Sequence, residues 1–101
     1  MAVTQYTTPT FTLTFTEEEL DLTQATNIVV SLESNGKRIE KTGEDLAVAA
    51  KTIGVTLRQE DTGWMKDNLI IQVNWMLPNG IRAASTKEWI DIDDNLLKRV
   101  M

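Results

Sequence analysis

The chain has 101 residues, a formal net charge of −5, and neither cysteine nor histidine. A chain of this length buries roughly 60–70% of its unfolded surface, enough for one hydrophobic core and not for two. The missing residue types exclude disulfides, cysteine-ligated zinc, imidazole bases and Ser-His-Asp triads. The acidic balance, with scattered lysines and arginines, argues against nucleic acid as a partner.

Met1-Ala2-Val3-Thr4 lacks the charged start and apolar stretch of a secretory signal, so none is expected. No apolar run approaches the ~20 residues of a membrane span, so no membrane partner is expected either. Residues 1–9, threonine-rich around Pro9, read as an extended N-terminal arm. Phe11, Leu13 and Phe15 then alternate with threonines, the period of a half-buried strand. Thr16 with Glu19 three residues on has the spacing of a capping box, which predicts one short helical turn.

Asn27–Glu33 alternates again, with Ile28, Val30 and Leu32 on the inner face. Asn35-Gly36 is a strong hairpin signal, because both turn positions require positive φ; Lys37–Thr42 is therefore predicted to return antiparallel. After a turn at Gly43-Glu44-Asp45, Leu46, Val48 and Ala50 suggest a short strand, and Ile53, Val55 and Leu57 the next. Gln59–Lys66 is polar and reads as a turn with at most one helical turn. Leu69, Ile71, Val73, Trp75 and Leu77 mark the inner face of the longest strand, and Pro78-Asn79-Gly80 turns the chain into a second hairpin. Ile81–Ile92 reads as one long strand whose inward set changes parity between Ile81/Ala83 and Ile90/Ile92, which predicts a bulge. Leu96, Leu97 and Val100 stand at helical spacing in a terminal turn or docking tail over residues 95–101.

The sum is an all-β domain over residues 1–101. It reads as a single antiparallel β-sandwich, immunoglobulin-like, of six to seven short strands with one or two short helical turns. A small closed barrel gives the same alternation. Without cysteines the antibody-domain subclass is excluded.

No catalytic, cofactor-binding or metal-binding set emerges. Asp91, Asp93, Asp94 and Asn95 are the densest oxygen cluster, but they lack the glycine and distal glutamate of an EF-hand loop, and the simpler reading is a solvated strand end that caps the terminal turn. Glu17, Glu18 and Glu19 suit the start of a helical turn better than a pair of carboxylates facing across a cleft. Lys51, Lys66 and Glu88 are the remaining candidates for acid–base chemistry, with no spacing that links them. Trp64, in a polar loop, and Trp89, out of phase with Ile90 and Ile92, are the candidate interaction residues. The simpler reading is that each tryptophan covers an end of the core. The threonine-rich segment Thr4–Thr14 has high β propensity, and a strand near a chain end that pairs with a neighbour is one route to assembly.

A set of landmarks spans most of the chain: Pro9–Phe15, Asp21-Leu22-Thr23 before Ile28-Val29-Val30, Lys41-Thr42-Gly43 with Asp45-Leu46, Val55–Glu60, Ile71–Trp75, Pro78–Ala83 and Asn95–Lys98. In these the chain resembles small structural proteins of phages and prophages of Gram-positive bacteria, and the N-terminal β-sandwich of upper baseplate proteins. The resemblance implies a tail- or baseplate-associated virion component, made in the bacterial cytoplasm, without enzymatic activity or cofactor. Its implied partners are other phage structural proteins, with a homo-oligomer among the options. A free-standing β-sandwich module that binds carbohydrate or a host protein is the alternative.

Overall fold

A computed structural model describes residues 2–101. Among the described residues nine strands form two sheets: β1 (Ala2–Thr4), β2 (Thr10–Thr14), β3 (Asn27–Ser34), β4 (Lys37–Thr42), β5 (Leu46–Val48), β6 (Thr52–Thr56), β7 (Asn68–Met76), β8 (Arg82–Ala84) and β9 (Glu88–Asp93). The larger sheet runs β1-β9-β7-β3-β4, with β8 also on β7, and the smaller runs β2-β6-β5. All pairings are antiparallel except β1 with β9, which is parallel. Among the described residues helical structure is confined to single turns: α1 (Gln59–Thr62) and 3-10 turns at Leu22–Gln24 and Gly43–Asp45. The fold is therefore all-β, as the alternation predicts.

The period-2 faces meet in one core. Val30 and Leu32 of β3 and Leu69, Ile71, Val73 and Trp75 of β7 are buried from the larger sheet. Phe11 of β2, Ile53 and Val55 of β6, and Leu57 are buried from the smaller. The edge of the Phe15 ring meets the Trp75 ring at a centroid distance of 5.5 Å and an interplanar angle of 75°, a favoured aromatic geometry. The Asn35-Gly36 turn forms as predicted, with φ of 49° and 74°, and sets the β3–β4 register with Ser34 opposite Lys37. A side chain at Gly36 would have open space but a strained backbone.

The long final strand is instead two. Ala84 lies opposite Asn74 and Glu88 opposite Ile71, so three residues, 85–87, span the two of β7 at 72 and 73. That one extra residue is the predicted parity change, and it lets both Ala83 and Ile90 face the core. Ser85 stabilises the break: its N–H donates to Val73 O at 2.8 Å, and its Oγ accepts from Val73 N at 2.9 Å.

The N-terminal residues differ from the expected arm. Met1 lies outside the described residues, but Ala2–Thr4 pairs alongside Asp91–Asp93 and Val3 is buried in the core. Gln5 is buried too, and its polar groups are satisfied. Its Nε2 donates to Met65 O at 2.6 Å, its N–H donates to Asp93 O at 2.9 Å, and its carbonyl accepts from Asn95 Nδ2 at 2.9 Å. The chain then turns at Tyr6, whose φ is 61°. The Tyr6 ring lies so close over Gly63 that a Cβ there would sit 2.5 Å from it.

Two further expectations change, and of the two readings of residues 95–101 the helical turn falls away. Around Glu17–Glu19 there is only a turn, closed by Leu20 N–H to Glu17 O at 3.2 Å. The cap is made by Asp21, whose Oδ1 accepts from Thr23 N at 3.0 Å. The strand at Leu46 ends at Val48, and Ala50 is exposed. Residues 95–101 form no helix, because so short a segment without packing cannot offset nucleation. The tail bends back so that Met101 N–H donates to Gln59 Oε1 at 2.7 Å.

Candidate interaction surface

The residues considered for chemistry are dispersed. Lys51 Nζ donates to the backbone carbonyls of Glu17, Glu18 and Leu20, which ties the loop before Leu22 to the start of β6. Lys66 is exposed, with its backbone bound to the Ser34 hydroxyl. Glu88 is exposed at the start of β9. Among the described residues these three share no hydrogen bond or ion pair. Asp91, Asp93 and Asp94 are exposed, and no group of three or more acidic side chains among the described residues is placed to hold a metal ion. No helix of the described residues is long and apolar enough to cross a membrane.

The two candidate tryptophans have different surroundings. Trp64 is half-buried against the core. Its carbonyl accepts from Asn35 Nδ2 at 3.1 Å, and Lys37 Nζ lies 5.0 Å from its ring centroid, a cation–π distance. Trp64 thus straps its loop to the β3–β4 hairpin. Trp89 is 63% exposed. It sits on the outer face of β9 opposite Ile70, and it also borders the open side between the two sheets.

That open side is a groove of about 540 Å³. Phe11, Leu13 and Phe15 line it from β2 and the residue after it, and Ile90 and Trp89 from β9, with Ile71 and Val73 at its floor. Its nearest charges are both acidic, Glu17 and Glu88. β2 is an edge strand of the smaller sheet, and residues 84–86 and 88–90 around the break between β8 and β9 border the groove from the larger sheet. A second concavity of about 540 Å³ lies on the outer face of the larger sheet. It is polar and of mixed charge, with Glu33 and Glu40 facing Arg38, Arg82 and Lys87, and Arg82 bound to Asn74 Oδ1 at 3.1 Å.

The alternation pattern misses one internal feature. Lys41 Nζ and Asp61 Oδ2 form an ion pair at 2.8 Å, with side chains only 10% and 17% exposed. Burial pushes the Asp61 carboxyl up, but the Lys41 ammonium and the Arg58 backbone N–H, which donates at 2.8 Å, outweigh it and hold the group below the usual carboxylate range. The available sequence clue is phase: Lys41 falls on the same face of β4 as Ile39.

No family model matches the chain, and neither a curated protein nor a solved structure matches it significantly.

Proposed function

We propose that the protein is a non-enzymatic structural or assembly component of a phage tail or baseplate, an immunoglobulin-like β-sandwich that acts through protein–protein contacts. The observation that carries this reading is the uncovered side of the fold. An exposed tryptophan, half-buried aromatic and aliphatic side chains and an uncharged strand edge converge there, the composition of a protein-binding surface. The biological setting is proposed from the resemblance of its landmarks to those of small phage structural proteins. The test is to induce the bacterium that carries the gene, purify released particles and measure the protein in them by mass spectrometry. Stoichiometric recovery in intact tails supports the reading. Recovery only in the soluble fraction, beside complete particles, removes it.

A carbohydrate-binding module is the second reading, favoured by one observation: Trp89 stands exposed on the same outer face as the polar concavity. Glycans would then quench tryptophan fluorescence, and Trp89→Ala would abolish the response. A flat response across a glycan panel removes this alternative.

A further inference from the structure

An unpaired sheet edge exposes backbone donors and acceptors that another strand can use, and proteins commonly protect such edges with charge, proline or short length. Most edges here are protected. β1, β5 and β8 have three residues each, and β4 carries Lys37, Arg38, Glu40 and Lys41. β2 is different: its sequence Thr-Phe-Thr-Leu-Thr spans five residues without a charge.

The direction of its free groups follows from the pairing. Phe15 N–H donates to Lys51 O at 2.8 Å, and Leu57 N–H donates to Pro9 O at 2.9 Å. Antiparallel pairs alternate, so Phe11 and Leu13 also bond toward β6, while Thr10, Thr12 and Thr14 aim their N–H and C=O groups away from it. Those three side chains are exposed, Phe11 is buried and Leu13 is half-buried.

We propose that the protein forms a two-fold dimer through β2, with Thr12 opposite Thr12 of a second copy and Thr10 opposite Thr14. The strand is self-complementary in this register. The free groups of the three threonines meet in about six backbone hydrogen bonds. On the inner side Phe11 faces Leu13 of the second copy, and on the outer side threonine faces threonine, both favourable cross-strand pairs. No residue of the paired segment Thr10–Thr14 is charged, so no like charges oppose one another within the ladder. The two smaller sheets become one continuous six-stranded sheet, and the grooves holding Trp89 and Phe15 close against each other. A two-fold contact of this kind is self-limiting, which accounts for an edge left uncharged without promoting open-ended aggregation.

The inference rests on the reading that the protein acts through protein–protein contacts, and its test is separate from particle analysis. The first measurement is the mass in solution by light scattering from micromolar to millimolar concentration. Twice the chain mass is expected, and Thr12→Lys, a change at an exposed side chain that places like charges at the axis, restores the single-chain mass. The second measurement reads the register. The chain has no native cysteine, so single-cysteine variants report without background. Facing residues in such a pair lie about 5.5 Å apart at Cα, within disulfide reach. Thr12→Cys therefore cross-links under mild oxidation, whereas Thr14→Cys, displaced from its own symmetry mate by roughly 14 Å, does not. A wild type that stays monomeric at millimolar concentration overturns the dimer, even if the protein is found in particles. Equal cross-linking of the two variants overturns the register.

Discussion

Replacing Asp61 by Asn keeps the shape of the side chain and removes its charge, leaving the Lys41 ammonium without a counter-ion at a site where its side chain is only 10% exposed. Breaking a fully buried pair costs about 3–5 kcal/mol, and the residual exposure of both groups lowers the expectation here to about 2–3 kcal/mol. For a domain of this size that is a fall in Tm of roughly 10–20 °C. Lys41→Met should cost less, because the carboxylate it leaves behind keeps the Arg58 N–H at 2.8 Å and more contact with water. Combined with Asp61→Asn it should recover part of the loss, giving a coupling energy of at least about 1 kcal/mol. Urea unfolding followed by the fluorescence of the three tryptophans measures each variant. The pH dependence follows from the direction of the carboxyl's shift. Because the folded-state pKa is depressed, the unfolded chain takes up the proton first as the solution is acidified. The stabilisation is therefore complete above the unfolded value of about 4 and is lost as pH falls through the folded one. The gap between wild type and Asp61→Asn should narrow below about pH 4. An Asp61→Asn variant within about 0.5 kcal/mol of wild type at neutral pH, or a gap constant down to strong acid, would refute the argument.

Other changes separate packing from surface. Leu32→Ala removes a fully buried side chain and should cost about 2–5 kcal/mol, whereas Trp89→Ala, at a 63% exposed site, should stay within about 0.5 kcal/mol; chemical denaturation compares them directly. Gly63→Ala keeps an allowed helical backbone but drives a methyl group into the Tyr6 ring. It should destabilise by about 1–3 kcal/mol and speed amide exchange at Gln5, and unchanged exchange there would contradict the packing described. The Thr23 hydroxyl and backbone N–H on its carboxylate hold Asp21 below the usual carboxylate range. Thr23→Val should raise that pKa in an NMR titration, since it deletes the hydroxyl and retains the N–H.

Much of the strand layout was legible in the sequence because it is local. Side chains alternate every second residue, so Val30 and Leu32, Ile53 and Val55, and Leu69 through Trp75 identify their own buried faces. Asn35-Gly36 fixes its hairpin through backbone sterics alone. The parity change between Ala83 and Ile90 likewise encodes the extra residue opposite β7. Neighbouring residues could not reveal which strands share a sheet. Ala2–Thr4 is too short to show a pattern, and it becomes a strand only because Asp91–Asp93 offers it an edge far along the chain. Lys41 and Asp61 meet only when α1 packs on the end of β4. The same long-range closure leaves β2 at an edge and Trp89 beside it. The candidate surface is thus a product of tertiary structure, because an edge is defined by the strand that is missing from it, and no local pattern encodes that.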